Sequence, residues 1–199
     1  MRRPLLAVRS LCAAALLATL AACSPARAAV AVGEKAPLFS LEDLDGKTVS
    51  LADFRGKVVV LEWMNPNCPF SRGHAERGTM TSTAAKHAEV VWLGINSTNP
   101  KRPDYVSPAD YKRYDEKNGI RYPVLYDPAG ATGHAYGART TPNLFVIDKD
   151  GTVAYEGAID DSPSGAPTVN YVDAALSALE AGRRPAPAVT KPYGCSVKY

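Results

Sequence analysis

Cys68 stands where an apolar run gives way to a helix start. Val58-Val59-Val60-Leu61-Glu62-Trp63-Met64 reads as a strand, Asn65-Pro66-Asn67 as a polar loop, and Pro69 suits the first position of a helix. A cysteine at a helix N-terminus meets free N–H groups and the positive end of the helix dipole. Both favour the thiolate, which is the nucleophilic form of the side chain. Cys68 is therefore a candidate nucleophile toward a disulfide or a peroxide. The competing reading is a structural half-cystine, the commoner fate of cysteines in exported proteins.

Cys195, in Gly194-Cys195-Ser196-Val197 near the C-terminus, is the second thiol of the folded part. It is a candidate resolving cysteine: a sulfenate or mixed disulfide on Cys68 would collapse to a Cys68–Cys195 disulfide. A permanent staple between tail and core is the alternative. Glu62, six residues before Cys68, lies inside the apolar strand. A buried carboxylate there would have a raised pKa and could exchange protons with a departing thiolate. The alternative is a strand-end acid paired with a lysine such as Lys57. Arg72 and Arg139 are each placed to lower a thiol pKa or to stand in solvent. His74, His87 and His134 show no ligand spacing, so no metal site and no cofactor are expected.

The compartment follows from the N-terminus. Arg2 and Arg3 precede the apolar stretch Leu11–Ala22, which is too short to span a bilayer and has the form of a secretion signal. Two processing sites compete within residues 1–28. Ala26-Arg27-Ala28 fits small-x-small cleavage. Leu20-Ala21-Ala22-Cys23 fits a lipoprotein signal ending at residue 22, with Cys23 lipidated. A periplasmic protein, with or without a lipid anchor to the membrane, is the expectation. Removing Arg2, Arg3, Arg9 and Arg27 from the 23 lysines and arginines leaves 19 against 20 acidic side chains, a net charge of −1. No nucleic-acid partner is expected of such a balance.

The elements that must position these residues can be read in order. Phe39–Leu41 and Thr48–Ser50 flank Asp45-Gly46 as a hairpin. The Lys57–Met64 strand leads to a helix from Pro69 to about Lys86, interrupted in pattern by Gly73 and Gly78. A strand over Glu89–Asn96 follows, then a helix opened by Ser107-Pro108-Ala109-Asp110 and closed at Gly119. Tyr122–Tyr126 is a short strand and Thr132–Tyr136 a short helix. Asn143–Ile147 and Val153–Gly157 form a hairpin about Asp150-Gly151. The last helix runs from Asn170 to Ala181, with Val172, Ala175, Leu176 and Leu179 on one stripe and Gly182 after it. This order, β-α-β-α-β followed by ββ and a helix, gives an α/β domain over residues 29–184: a central mixed sheet flanked by helices on both faces. Residues 185–199 form a C-terminal tail carrying Cys195.

With Cys68 at the first strand-to-helix turn, the pattern resembles the thioredoxin-like fold with an N-terminal β-hairpin extension. It is most similar to the redoxins, the peroxiredoxin-like group that includes alkyl hydroperoxide reductase C-type and thiol-specific antioxidant domains. The resemblance covers about Val32 to Gly182, including Gly33-Glu34-Lys35-Ala36-Pro37 and Asp53-Phe54-Arg55-Gly56-Lys57. It implies that Thr141-Pro142 carries a cis-proline facing the thiol, beside a backbone edge that pairs with a bound peptide or disulfide. It also implies that Glu62 matches the buried acid of thioredoxins. Thr141, Pro142, Pro69 and Arg139 are thus the candidate substrate-contacting residues. The chain departs from three related patterns. Ser71 replaces the second cysteine of Cys-x-x-Cys, and Leu61 and Asn65 stand where typical peroxiredoxins have proline and threonine or serine. Arg72 likewise takes the second position of a copper-binding Cys-x3-Cys.

The function expected is a thiol oxidoreductase in which Cys68 attacks, Cys195 resolves, and an external thiol reductant restores both. The alternative is a redox-inactive binding or scaffold domain stapled by a structural Cys68–Cys195 disulfide, worth about 3–5 kcal/mol for a loop of this length.

Overall fold

The computed structural model describes residues 29–163 and 165–199. The leader expectations, including Cys12, Cys23 and both processing sites, lie outside the described residues.

A seven-stranded mixed sheet organises the chain. Its strands are β1 (Ser40–Asp43), β2 (Thr48–Ser50), β3 (Val59–Trp63), β4 (Val91–Asn96), β5 (Val124–Tyr126), β7 (Asn143–Ile147) and β8 (Val153–Gly157), in the spatial order β2-β1-β5-β4-β3-β7-β8. β3 is central, parallel to β4 and antiparallel to β7. A separate two-stranded ladder joins β6 (Thr140–Thr141) to β9 (Cys195–Ser196).

The helices are α1 (Pro69–Glu76), α2 (Thr79–Lys86), α3 (Pro108–Asn118), α4 (Ala131–Tyr136) and α5 (Tyr171–Glu180). The expected single helix over 69–86 is two. Gly78, at φ +67°, takes a left-handed conformation that ends α1 and starts α2. β3 is buried on both faces, which accounts for its unbroken apolar run. On one face Val59, Leu61 and Trp63 pack with Leu93, Ile95, Phe145 and Ile147 beneath Tyr136 of α4. On the other, Val58 and Val60 pack with Leu144 and Val146 beneath Met80 of α2 and Val172, Ala175 and Leu176 of α5. Burial on this scale, at about 25 cal/mol per Å² of apolar surface, holds the C-terminal end of β3 rigid where the thiol follows.

Candidate active site

The loop between β3 and α1 is closed by Asn65. Its Nδ2 donates to Thr98 Oγ1 at 2.8 Å and to the Asp104 carbonyl at 3.1 Å, while its Oδ1 accepts the Asn67 N–H at 2.7 Å. Cys68 follows as the N-cap of α1, with an extended backbone and Pro69 in the first turn. No side chain caps this helix, so its first N–H groups are available to the sulfur. Cys68 is only 3% exposed.

Across from Cys68 lies the turn between β6 and β7. The Thr141–Pro142 peptide is cis, and both residues are buried. The Cys68 thiol donates to the Thr141 carbonyl at 2.8 Å. Thr141 is in turn the ladder partner of Cys195. The two cysteines are free thiols brought side by side on Thr141, one through its carbonyl and the other through its ladder pairing. They line a cleft of about 110 Å³ with Asn65, Thr98, Thr141 and Lys198.

The electrostatics of the pair are unequal. Burial works to raise the Cys68 pKa. The polar surroundings of the sulfur, first the Cys195 side chain and then Thr141 and the Ser71 and Cys195 backbone, outweigh it and leave the thiol below its ordinary value. Cys195 is pushed up to about 11, by burial first and then by the hydrogen bond and charge of Cys68. Cys68 therefore ionises first, and Cys195 keeps its proton.

Glu62 is buried in β3 and does not pair with Lys57, which is exposed. Its Oε2 accepts from Trp92 Nε1 at 2.9 Å and from Tyr122 OH at 2.8 Å. Burial raises its pKa to about 7, against the lowering effect of those two bonds. Nearby Asp115 is also raised to about 7, by burial and then by the charge of Glu62.

The other expected residues are placed less directly. Pro69 is exposed at the head of α1. Of the two alternatives for Arg139, the structure shows the solvent-facing one: its guanidinium lies 3.6 Å from Glu156 and its side chain is 71% exposed. Its backbone is what matters here, since the Arg139 carbonyl accepts the Val197 N–H at 3.1 Å. Arg72 points to solvent from α1. His87 is held by Asp173 at 2.8 Å and Glu180 at 2.6 Å, away from the cysteines.

The C-terminal residues are a packed strap rather than a loose tail. The Glu156 N–H donates to the Ala188 carbonyl at 3.0 Å, and Thr190 Oγ1 accepts from the Ala158 N–H at 2.9 Å. The Tyr193 hydroxyl donates to buried Asp160 and lies 2.9 Å from Nε2 of buried His74. Tyr199 stacks on His134 with centroids 4.0 Å apart and donates to the Ala138 carbonyl at 2.7 Å. Tyr193, Asp160 and Tyr199 were not singled out in the sequence. The signal available was two tyrosines flanking a Gly-Cys pair in an otherwise polar terminus.

The chain is similar to known proteins. Residues 32–156 match the model of the AhpC/TSA family. The thiol-disulfide oxidoreductase ResA of Geobacillus thermodenitrificans is 32% identical over 128 residues, 64% of this chain and 69% of that one. A Mycobacterium tuberculosis protein provisionally named a peroxiredoxin is 28% identical, over 61% of this chain and 80% of that one. A crystal structure of a conserved protein from Geobacillus kaustophilus superposes with a TM-score of 0.76 at 32% identity, covering 85% of this chain and 92% of that one. The chain belongs to the AhpC/TSA family and is a redoxin oxidoreductase with a thioredoxin-like fold.

Proposed function

We propose that the protein is an exported thiol oxidoreductase in which Cys68 attacks a disulfide or a peroxide and Cys195 resolves the product. The observation that carries this reading is the placement of both free thiols on Thr141 in one cleft, where Cys68 ionises first. The thiolate attacks, the substrate's S–S or O–O bond breaks, and the leaving group departs with a proton. Cys195 then attacks the Cys68 sulfur, releasing thiol or water and leaving a Cys68–Cys195 disulfide. An external thiol reductant returns two electrons. Glu62 serves as the buried proton store of the site, since a carboxyl with a pKa of about 7 holds or yields a proton near neutrality. Export is supported by the basic end, apolar stretch and cleavage sites of residues 1–28, and a lipid anchor by Cys23 in Leu20-Ala21-Ala22-Cys23.

Redox equilibration with glutathione tests the reading. A catalytic disulfide equilibrates with the buffer, and Cys68→Ser loses oxidant consumption entirely. A disulfide with a potential below about −300 mV that resists glutathione would instead mark the stapled, inactive domain.

A further inference from the structure

The edge beside Pro142 is already occupied. Extended peptides bind sheet edges by adding a strand, with main-chain hydrogen bonds supplying affinity. β6 offers such an edge next to the Cys68 sulfur, and the chain's own β9 fills it. Thr140 pairs with Ser196 and Thr141 with Cys195, antiparallel. The fit depends on Gly194. Its φ of +138° is open to glycine, and a Cβ there would overlap the Thr141 carbonyl oxygen and carbon. Anchors hold the strap on both sides of Cys195. Tyr193 docks on Asp160 and His74 before it; after it, the Val197 N–H bonds the Arg139 carbonyl and the Lys198 carbonyl accepts the Asn99 N–H at 2.8 Å.

We infer that the C-terminal strap is the specificity determinant of this site: it occupies the peptide-docking edge as a built-in substrate, so that small oxidants reach Cys68 while protein disulfides wait for the strap to leave. This deepens the proposed oxidoreductase reading and rests on it. Two magnitudes favour exclusion. A tethered segment competes at an effective concentration of about millimolar, so a weakly pairing protein disulfide cannot displace it. The cleft left open, about 110 Å³, is walled in part by Cys195, Ser196 and Lys198 of the strap itself. A polypeptide cannot enter it without moving β9.

The electron flow is the same for either oxidant. With hydrogen peroxide, the Cys68 thiolate takes one oxygen and hydroxide leaves to be protonated by solvent. The Cys195 thiol then displaces water from the sulfenic acid. With a protein disulfide, Cys68 takes one sulfur, the other leaves as a thiolate, and Cys195 later displaces the first.

The test compares single-turnover loss of the Cys68 thiol in the reduced full chain against two probes, hydrogen peroxide and scrambled ribonuclease as a protein disulfide. The readout is the ratio of the protein-disulfide rate to the peroxide rate, in wild type, Gly194→Ala and Tyr193→Phe. Opening the edge relieves the competent state of its population penalty, so the ratio should rise at least about tenfold in Gly194→Ala and less in Tyr193→Phe. Tyr193→Phe keeps the ring and loses only the hydroxyl, which guards against a variant that misfolds. A ratio unchanged from wild type in both variants overturns the inference and leaves the oxidoreductase reading standing. A wild-type Cys68 that reacts with neither probe sinks the oxidoreductase reading itself.

Discussion

Cys195 faces Thr141 as its antiparallel ladder partner, and the Thr141 carbonyl accepts the Cys68 thiol proton at 2.8 Å. One backbone residue thus holds both sulfurs in place. Cys68 is fixed at the N-terminus of α1, and the second thiol is brought to it by backbone pairing from the far end of the chain.

Removing the second thiol should weaken the first as an acid. In Cys195→Ala the side chain that most lowers the Cys68 pKa is gone. The Cys68 titration should move to higher pH, read by ultraviolet thiolate absorbance or by the pH dependence of alkylation. An unmoved or lower titration would show that the helix terminus alone sets the acidity.

Glu62 should make stability fall as pH rises. Its folded-state pKa is raised from 4.5 to about 7, so the fold favours the protonated form. That contribution is fully present below the unfolded value and is lost as pH rises through about 7. Wild type should lose up to about 3 kcal/mol over this window, while Glu62→Gln should show a flatter profile in denaturant melts. Asp115 titrates in the same range and shares the steps. The indole N–H resonance of Trp92, which donates to Glu62, should follow the titration in wild type and lose most of it in the variant.

Asp127 is an anchor of a different sort. It is buried and accepts from Ser97 Oγ at 2.6 Å, from the Gly133 N–H at 2.9 Å and from the Thr132 N–H at 3.3 Å, tying β5 to the start of α4. Asp127→Ala leaves those donors unpaired, at a cost of about 2–4 kcal/mol. A thermal melt should show a drop of about 10 °C. Retention of the wild-type midpoint would mean that water replaces the carboxylate without loss.

Arg139 should prove dispensable to the chemistry. Its exposed ion pair with Glu156 contributes at most about 1 kcal/mol. Arg139→Ala should leave the Cys68 titration where it is, and a shift in it would restore the arginine to the site.

Local pattern made the core of the site legible. The apolar run before Cys68 and the Pro69 after it follow from short-range rules, the cis Thr141–Pro142 turn followed from the family resemblance, and β3, β7 and the start of α1 lie where these put them. The break in the helix over 69–86 is marked in the sequence by Gly73 and Gly78, but glycine is tolerated inside a helix as well as at its end, so only the structure shows that Gly78 alone takes the left-handed conformation that divides it. The strap was illegible for a different reason. β9 has two residues, and its anchors sit on elements far upstream: His74 on α1, His134 on α4, Asp160 after β8. No periodicity encodes contacts of that kind. The partners of Glu62 were hidden in the same way, since Trp92 and Tyr122 come from β4 and the loop before β5. The sequence left two alternatives for Arg139 because its position beside Thr141 fixes its backbone near the strap but leaves its side chain free to turn toward β8.

The central claim is tested most directly by peptide mapping under non-reducing conditions after one equivalent of oxidant. The structure predicts a single intramolecular Cys68–Cys195 link in the monomer, with no free thiol at either position. A Cys68 trapped as sulfenic or sulfinic acid beside a free Cys195, or a link found only between chains, would contradict it.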